Sequence, residues 1–247
     1  VYGVVLGGFS SNNKYSFLGG VRATAQMVSY EVPMGLCVLI MLLTFHTTDA
    51  SVMSGLQTGW GEAGIWGIFM HPMLAIIFFT CILAENNRAP FDLAESEQDL
   101  VGGYHTEYAS MKWAWFFLAE YMHMITGAAF FCVMFLGGWD LLPFVAELPL
   151  VGGIGIVLLK AGIFALKVLL LLFVMMWIRW TLPRFRFDQL MRLAWQGLIP
   201  ITLAILVLSG VVVFLDLDQW WLTAVLFLLV NVGVAIGAAM IGPMLPK

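Results

Sequence analysis

Six apolar runs, each close to the length of a membrane span, divide this chain near residues 27–46, 66–84, 113–136, 153–178, 196–215 and 221–243. A hydrocarbon core of about 30 Å calls for about 20 apolar residues per helix. Backbone groups in lipid must bond within their own segment, so runs this long and continuous are helices rather than barrel strands. A further apolar stretch ends at Gly8, as the tail of a preceding span. The predicted fold is all-α: a polytopic integral membrane helix bundle with six full transmembrane helices plus the end of an earlier one. The sequence opens at Val1 in mid-run with no signal-peptide pattern, so it reads as truncated at its N-terminus. Residues 1–247 read as a single transmembrane domain, without a 20–50-residue repeat.

Basic residues orient the spans. Lys14, Arg22, Arg88, Lys112, Arg179, Arg184, Arg186, Arg192 and Lys247 all fall in connections on one side, whereas the connections around Thr47–Ile65, Gly137–Gly152 and Asp216–Trp220 carry acids but no Lys or Arg. The positive-inside rule puts the first set in the cytoplasm. Dropping any one span would scramble this alternation.

Charge is scarce, 11% of residues against 62% hydrophobic, and it is gathered in one place. Glu85, Asp92, Glu95, Glu97, Asp99, Glu107 and Glu120 supply seven of the fifteen acids. Most of them occupy an acidic cytoplasmic-side loop, residues 85–112. Pro90 disfavours helix at Ala89 but suits the first turn of a new one, and Gly102-Gly103 would end it, so Phe91 to Val101 is expected as a short helix. On it Asp92, Glu95 and Asp99 share a face at i, i+3 and i+7. Like charges at that spacing repel, which favours proton uptake. Two readings stand side by side: a wet loop that docks a basic partner, or a cluster that changes protonation beside a redox group.

Glu120, Lys160 and Lys167 fall inside predicted spans, where each charge costs about 2.5–3.5 kcal/mol at a helix centre. They should face protein or water. Lys160 and Lys167 share one helix face, and Glu120 shares another with His123, so a polar seam between spans is expected. Lys160 snorkelling outward with Glu120 and Lys167 as a fixed ion pair is one reading; a charge relay extended by Glu31 and Glu85 is the other.

Several chemistries are excluded. The net charge of −4 and the scattered basic residues point to no nucleic-acid partner. Cys37, Cys81 and Cys132 each stand alone in apolar sequence and read as small buried hydrophobes, with no metal site. His46, His71, His105 and His123 lack the pairing that haem ligation needs. No phosphate loop or nucleophile elbow is present, and no covalently bound cofactor is expected.

Four motifs in fixed order then become informative: GGFSSNNKYSFLGGVRATAQMVSYE (7–31), AENNRAPFDLAESEQDLVGGYHTEY (84–108), FFLAEY (116–121) and WIRWTLPRFRFDQLM (177–191). Together they resemble the membrane component of respiratory complex I known as the H subunit or subunit 1, over roughly residues 1–205. The resemblance implies a role in NADH:quinone oxidoreductase, a proton-translocating enzyme whose quinone, ubiquinone or menaquinone, binds where a peripheral arm meets the membrane. By matching motif, Arg22, Glu31, Arg88, Asp92, Glu95, Glu97, Asp99 and Glu107 would line or flank the quinone chamber. Glu31, Glu85, Glu120 and Lys167 would form a proton path, and Arg184, Arg186 and Asp188 would border the peripheral arm. Implied partners are peripheral-arm subunits that carry flavin and iron–sulfur clusters or build the quinone site, small antiporter-linking membrane subunits, and the lipid bilayer. The expected location is the bacterial plasma membrane, with the mitochondrial inner membrane as alternative.

The family's first spans and amphipathic surface helix are not in this sequence, and the run from Trp221 to Pro243 is an extra span found in some members only. The nearest rival is the homologous membrane component of a hydrogenase- or ferredoxin-linked ion-pumping complex, against which the long PFDLAESEQDLVGGYHTEY loop argues. A secondary transporter would show paired broken helices, and a passive anchor leaves Glu120 and Lys167 unexplained.

Overall fold

A computed structural model describes residues 1–58, 64–93, 102–140, 153–215 and 219–241. Among them every regular element is helical: α1 (Tyr2–Ser10), α2 (Lys14–Phe45), α3 (Ala50–Thr58), α4 (Gly67–Met70), α5 (Pro72–Glu85), a 3₁₀ turn (Gly103–His105), α6 (Met111–Phe135), α7 (Gly153–Thr181), α8 (Phe187–Phe214) and α9 (Trp220–Ile241). The all-α polytopic bundle expected from the apolar runs is what forms. Five helices, α2 and α6 to α9, are long and apolar enough to cross a membrane.

The second predicted span departs from expectation. It is divided at His71, and α5 has 14 residues, a rise of about 21 Å that falls short of the hydrocarbon core. Pro72 is the physical cause. It opens α5 without needing an amide partner and turns the residue before it away from helix, so His71 has φ −127° and ψ 64°.

Two spans start earlier than hydropathy predicts. α2 begins at Lys14, where the Asn13 side chain accepts a hydrogen bond from Tyr15 N. Its first half carries Ser16, Gln26 and Ser29, all buried, so those turns face protein rather than lipid. α8 begins at Phe187 and contains a π turn over Leu193–Leu198.

The core lies among α2, α5 and α6, with Tyr30, Ile40, Leu74, Phe78 and Phe135 buried. Phe78 packs at 5.5 Å from Phe135 and 6.1 Å from Phe131, distances typical of favourable ring pairs. Cys37, Cys81 and Cys132 are free and buried, as read from their apolar settings. His71 is fully buried and bonded on both ring nitrogens: Nε2 lies 3.0 Å from Thr44 Oγ1 on α2, and Nδ1 lies 2.8 Å from Asn231 Nδ2 on α9. The extra final span is thus keyed into the bundle through a polar contact.

Contacts sort the connections into two ends. At one, the start of α2 meets Tyr104 and Glu107, and Pro90 O accepts from Phe185 N. At the other, Ser54 and Gln57 bond the end of α6, and Lys167 reaches the same place. These contacts agree with the grouping by basic residues for the connections they touch; Asp216 to Asp218 lie outside the described residues.

Candidate functional site

The C-terminus of α5 leaves helical carbonyls without intrahelical partners, and the amides of Asn86 and Asn87 in the turn that follows reach Ile82 O and Ala84 O. Asn87 takes a positive φ of 49° there, a conformation asparagine tolerates well. Arg88, next along, reaches α6: its Nε lies 2.6 Å from Glu120 Oε1, and both side chains are only about a tenth exposed. The Arg88 guanidinium also sits 4.6 Å from the centre of the Tyr121 ring. One turn further along α6, His123 Nε2 lies 3.6 Å from Glu85 Oε1. The Glu120 and His123 part of the expected seam therefore meets the end of α5, and the i, i+3 spacing presents both side chains to it.

The loop is fastened from two sides. Asp92 Oδ2 accepts from Arg184 Nη2 at 2.9 Å, Phe185 N donates to Pro90 O at 3.1 Å, and the Phe91 and Phe185 rings stack at 5.5 Å. On the other side Gln26 Nε2 donates to both Ala84 O and Phe91 O. Tyr30 packs on Phe91 and donates its hydroxyl to Leu190 O. The far end of the loop is held separately. Asn13 Nδ2 donates to Glu107 Oε1 at 2.6 Å, Ser16 Oγ donates to Tyr104 O, and Tyr108 hydroxyl donates to Gly7 O.

The predicted site residues are thus divided. Arg88 meets Glu120, and Glu85 meets His123, between α5 and α6, while Asp92, four residues along the loop from Arg88, pairs with Arg184. Arg22 lies across the start of α8, 5.8 Å from the Phe187 ring. Glu31 is exposed on α2, and Arg186 and Asp188 are exposed at the start of α8. Glu107 belongs to the contact with α1 and α2. Glu95, Glu97 and Asp99 lie outside the described residues, as does most of the short helix expected over Phe91 to Val101; Phe91 to Leu93 are a bend and irregular chain closed by a Leu93 N to Phe91 O bond.

Glu120 and Lys167 do not pair. Lys167 Nζ donates to the carbonyls of Leu136, the residue that closes α6, and of Gly138 and Asp140 just past it, with Leu136 sixteen residues, about 24 Å of helical rise, beyond Glu120. It sits 5.0 Å from the centre of the Trp66 ring. A cation on terminal carbonyls is the favourable placement for the helix dipole, so Lys167 caps α6. Lys160 pairs with Asp140 at 3.2 Å rather than only reaching toward the interface.

Gln26 and Tyr30, which lie inside the 7–31 motif but are not among the site residues drawn from it, and Asn231 hold contacts that the charges of the sequence do not flag. For the first two a signal was present. Arg22, Gln26 and Tyr30 recur at i, i+4 and i+8, one face of a helix, and a polar face on an otherwise apolar helix meets something polar.

The fold and these charge pairs define a class: polytopic helical membrane proteins that keep paired charges inside the bundle beside a polar loop. Within that class, the NADH dehydrogenase family profile matches residues 1–210, and the chain belongs to this family. It is 43% identical over 213 residues to the H subunit of the NADH-quinone oxidoreductase of Flavobacterium johnsoniae, covering 86% of this chain and 60% of the relative. NADH-quinone oxidoreductase subunit 8 of Rhodothermus marinus is 45% identical over 222 residues, 87% of this chain and 64% of the relative. The H 1 subunit of the Geobacter sulfurreducens NADH-quinone oxidoreductase is 45% identical over 216 residues, 87% of this chain and 57% of the relative. The chain thus spans about three fifths of the length of these relatives. α9 lies beyond the family match.

Proposed function

We propose that this chain forms the membrane side of a quinone-binding chamber and couples quinone reduction to proton translocation, as a subunit of NADH:quinone oxidoreductase. The observation that carries the reading is the buried Arg88–Glu120 pair with Glu85 and His123 beside it, directly continuous with an acidic loop. Intramembrane ionisable groups mark ion and proton pathways more often than they serve as scaffolding.

Reduction of a quinone places negative charge at the ring oxygens and calls for protons. The loop that follows Arg88 would feel that charge first. Arg88 sits between a carboxylate on α6 and a segment held by Asp92 and Arg184, so a change of field at the loop alters how strongly it neutralises Glu120. In a low-dielectric setting such a change is worth far more than at a wet surface. The proposed path runs from the loop acids, including Glu95, Glu97 and Asp99, through Glu31 and Glu85 to Glu120. Lys167, at the opposite end of α6, is left out of it.

Electrons would come from partner subunits carrying flavin and iron–sulfur clusters, with Arg184, Arg186 and Asp188 as the surface they meet. The substrate would be ubiquinone or menaquinone, and the location the plasma membrane, as suits the bacterial relatives. Their names favour quinone over a hydrogenase- or ferredoxin-linked complex. The test is Glu120→Gln in the assembled complex. Quinone-reductase turnover is expected to fall ~10-fold or more, about 1.4 kcal/mol of barrier, while NADH oxidation by ferricyanide and assembly stay unchanged. Wild-type turnover and proton pumping in that variant reject the reading.

A further inference from the structure

Gln26 is fully buried in the first half of α2. Its two amide hydrogens go to carbonyls seven residues apart: Nε2 to Ala84 O at 2.7 Å and to Phe91 O at 2.8 Å. Ala84 lies in the last turn of α5, where carbonyls lack helical partners, and Phe91 lies just past Pro90. One nitrogen therefore holds both ends of the turn that carries Glu85 and Arg88. We infer that Gln26 is a positioning residue: by closing the Ala84–Phe91 turn with a single carboxamide, it sets Arg88 against Glu120.

Three observations support this. The first is that Gln26 Oε1 is buried without a hydrogen-bond partner. An orphaned buried acceptor is unfavourable, so stability alone is a poor reason for an amide at this position, whereas its two donors have defined targets. A second is that the backbone amides reaching these carbonyls are local ones, Asn87 N on Ala84 O and Leu93 N on Phe91 O, so neither of those bonds spans the turn and Gln26 does. The third is the face Gln26 occupies. Arg22 on the same face lies over Phe187, and Tyr30 bonds Leu190 O and packs on Phe91. α2 thus holds the turn and the start of α8 in one frame, and a shift of α2 would move Arg88 relative to α6.

This inference rests on the coupling role proposed for the Arg88–Glu120 pair, and the test separates the two. In the assembled complex, quinone-reductase kcat and KM are measured for Gln26→Leu, for Glu120→Gln and for the double variant, with NADH:ferricyanide turnover as the control. Gln26→Met, close in volume and unbranched, replaces the leucine variant if that one fails to assemble. The expected result is a ~10-fold fall in kcat for the Gln26 variant with KM for quinone within twofold of wild type, and no further loss when it is combined with Glu120→Gln. Residues acting through one another show such non-additivity. Wild-type kcat for the Gln26 variant beside a slow Glu120→Gln overturns this inference alone. Multiplying losses in the double variant overturn it too, and a Glu120→Gln variant of wild-type turnover overturns both readings.

Discussion

Replacing Arg88 by methionine removes one half of a charge pair whose other half stays inside the protein. Arg88 and Glu120 are 2.6 Å apart with side chains 12% and 11% exposed, so the pair belongs with buried ion pairs rather than surface ones, which are worth about 0–1 kcal/mol. Breaking a buried pair by removing one partner costs about 3–5 kcal/mol, because the remaining charge is left uncompensated. Loss of the guanidinium from the Tyr121 face adds about 0.5–1 kcal/mol. Hydrogen exchange in the assembled complex reads this directly at the amides of Asn86, Asn87 and Phe91, which bond Ile82 O, Ala84 O and Arg88 O. At tenfold per 1.4 kcal/mol, the combined loss should accelerate exchange there by about two and a half to four powers of ten. The double variant Arg88→Met with Glu120→Leu leaves no stranded charge and should recover most of that protection, since apolar replacement of a whole buried pair is often neutral or stabilising. It should recover no quinone-linked turnover. An acceleration below tenfold in the single variant, or a double variant no better protected than the single, refutes the reasoning.

Lys167→Met should release the carbonyls at the end of α6, at a cost of about 3 kcal/mol for charge-assisted bonds that are not additive; thermal unfolding of the assembled complex checks it, and Lys167→Arg should recover part of the loss. Gly19→Ala places a methyl 2.8 Å from the Gly103 backbone, which must move apart at about 1–3 kcal/mol. Gly35→Ala, where nothing lies within 4 Å, should be neutral or stabilising by up to about 1 kcal/mol, and the same thermal assay compares the two. Asn231→Leu should strand His71 Nδ1 and loosen α9 by about 1–3 kcal/mol, read as faster hydrogen exchange in α9 while α6 is unchanged.

The seam was legible where it followed helical spacing. Glu120 and His123, one turn apart, pointed to a common neighbour, and the apolar runs located α6, α7 and α9 well. Hydropathy under-read α2, because the polar residues of its first half face other parts of the protein and lower the local average without leaving the helix. It over-read the span at 66–84, because apolarity is insensitive to the backbone restriction that Pro72 places on His71. The Glu120–Lys167 pairing offered as one reading failed for a topological reason. Opposite charges within neighbouring spans suggest a pair only when their depths agree, and sixteen residues of helix separate Glu120 from the carbonyl of Leu136 that Lys167 holds.

What the sequence determined by itself was the class of fold, the two groups of connections and the concentration of acids in one of them. Apolar length and charge placement are properties of the chain, and the bilayer's thickness and the cost of an unbonded backbone translate them directly into helices. Which charges meet was decided by the tertiary structure. Arg88 finds Glu120, and Gln26 finds Ala84 and Phe91, across separations of 32, 58 and 65 residues, and only the packing of α2, α5 and α6 sets the depth and rotation that bring those atoms within bonding distance.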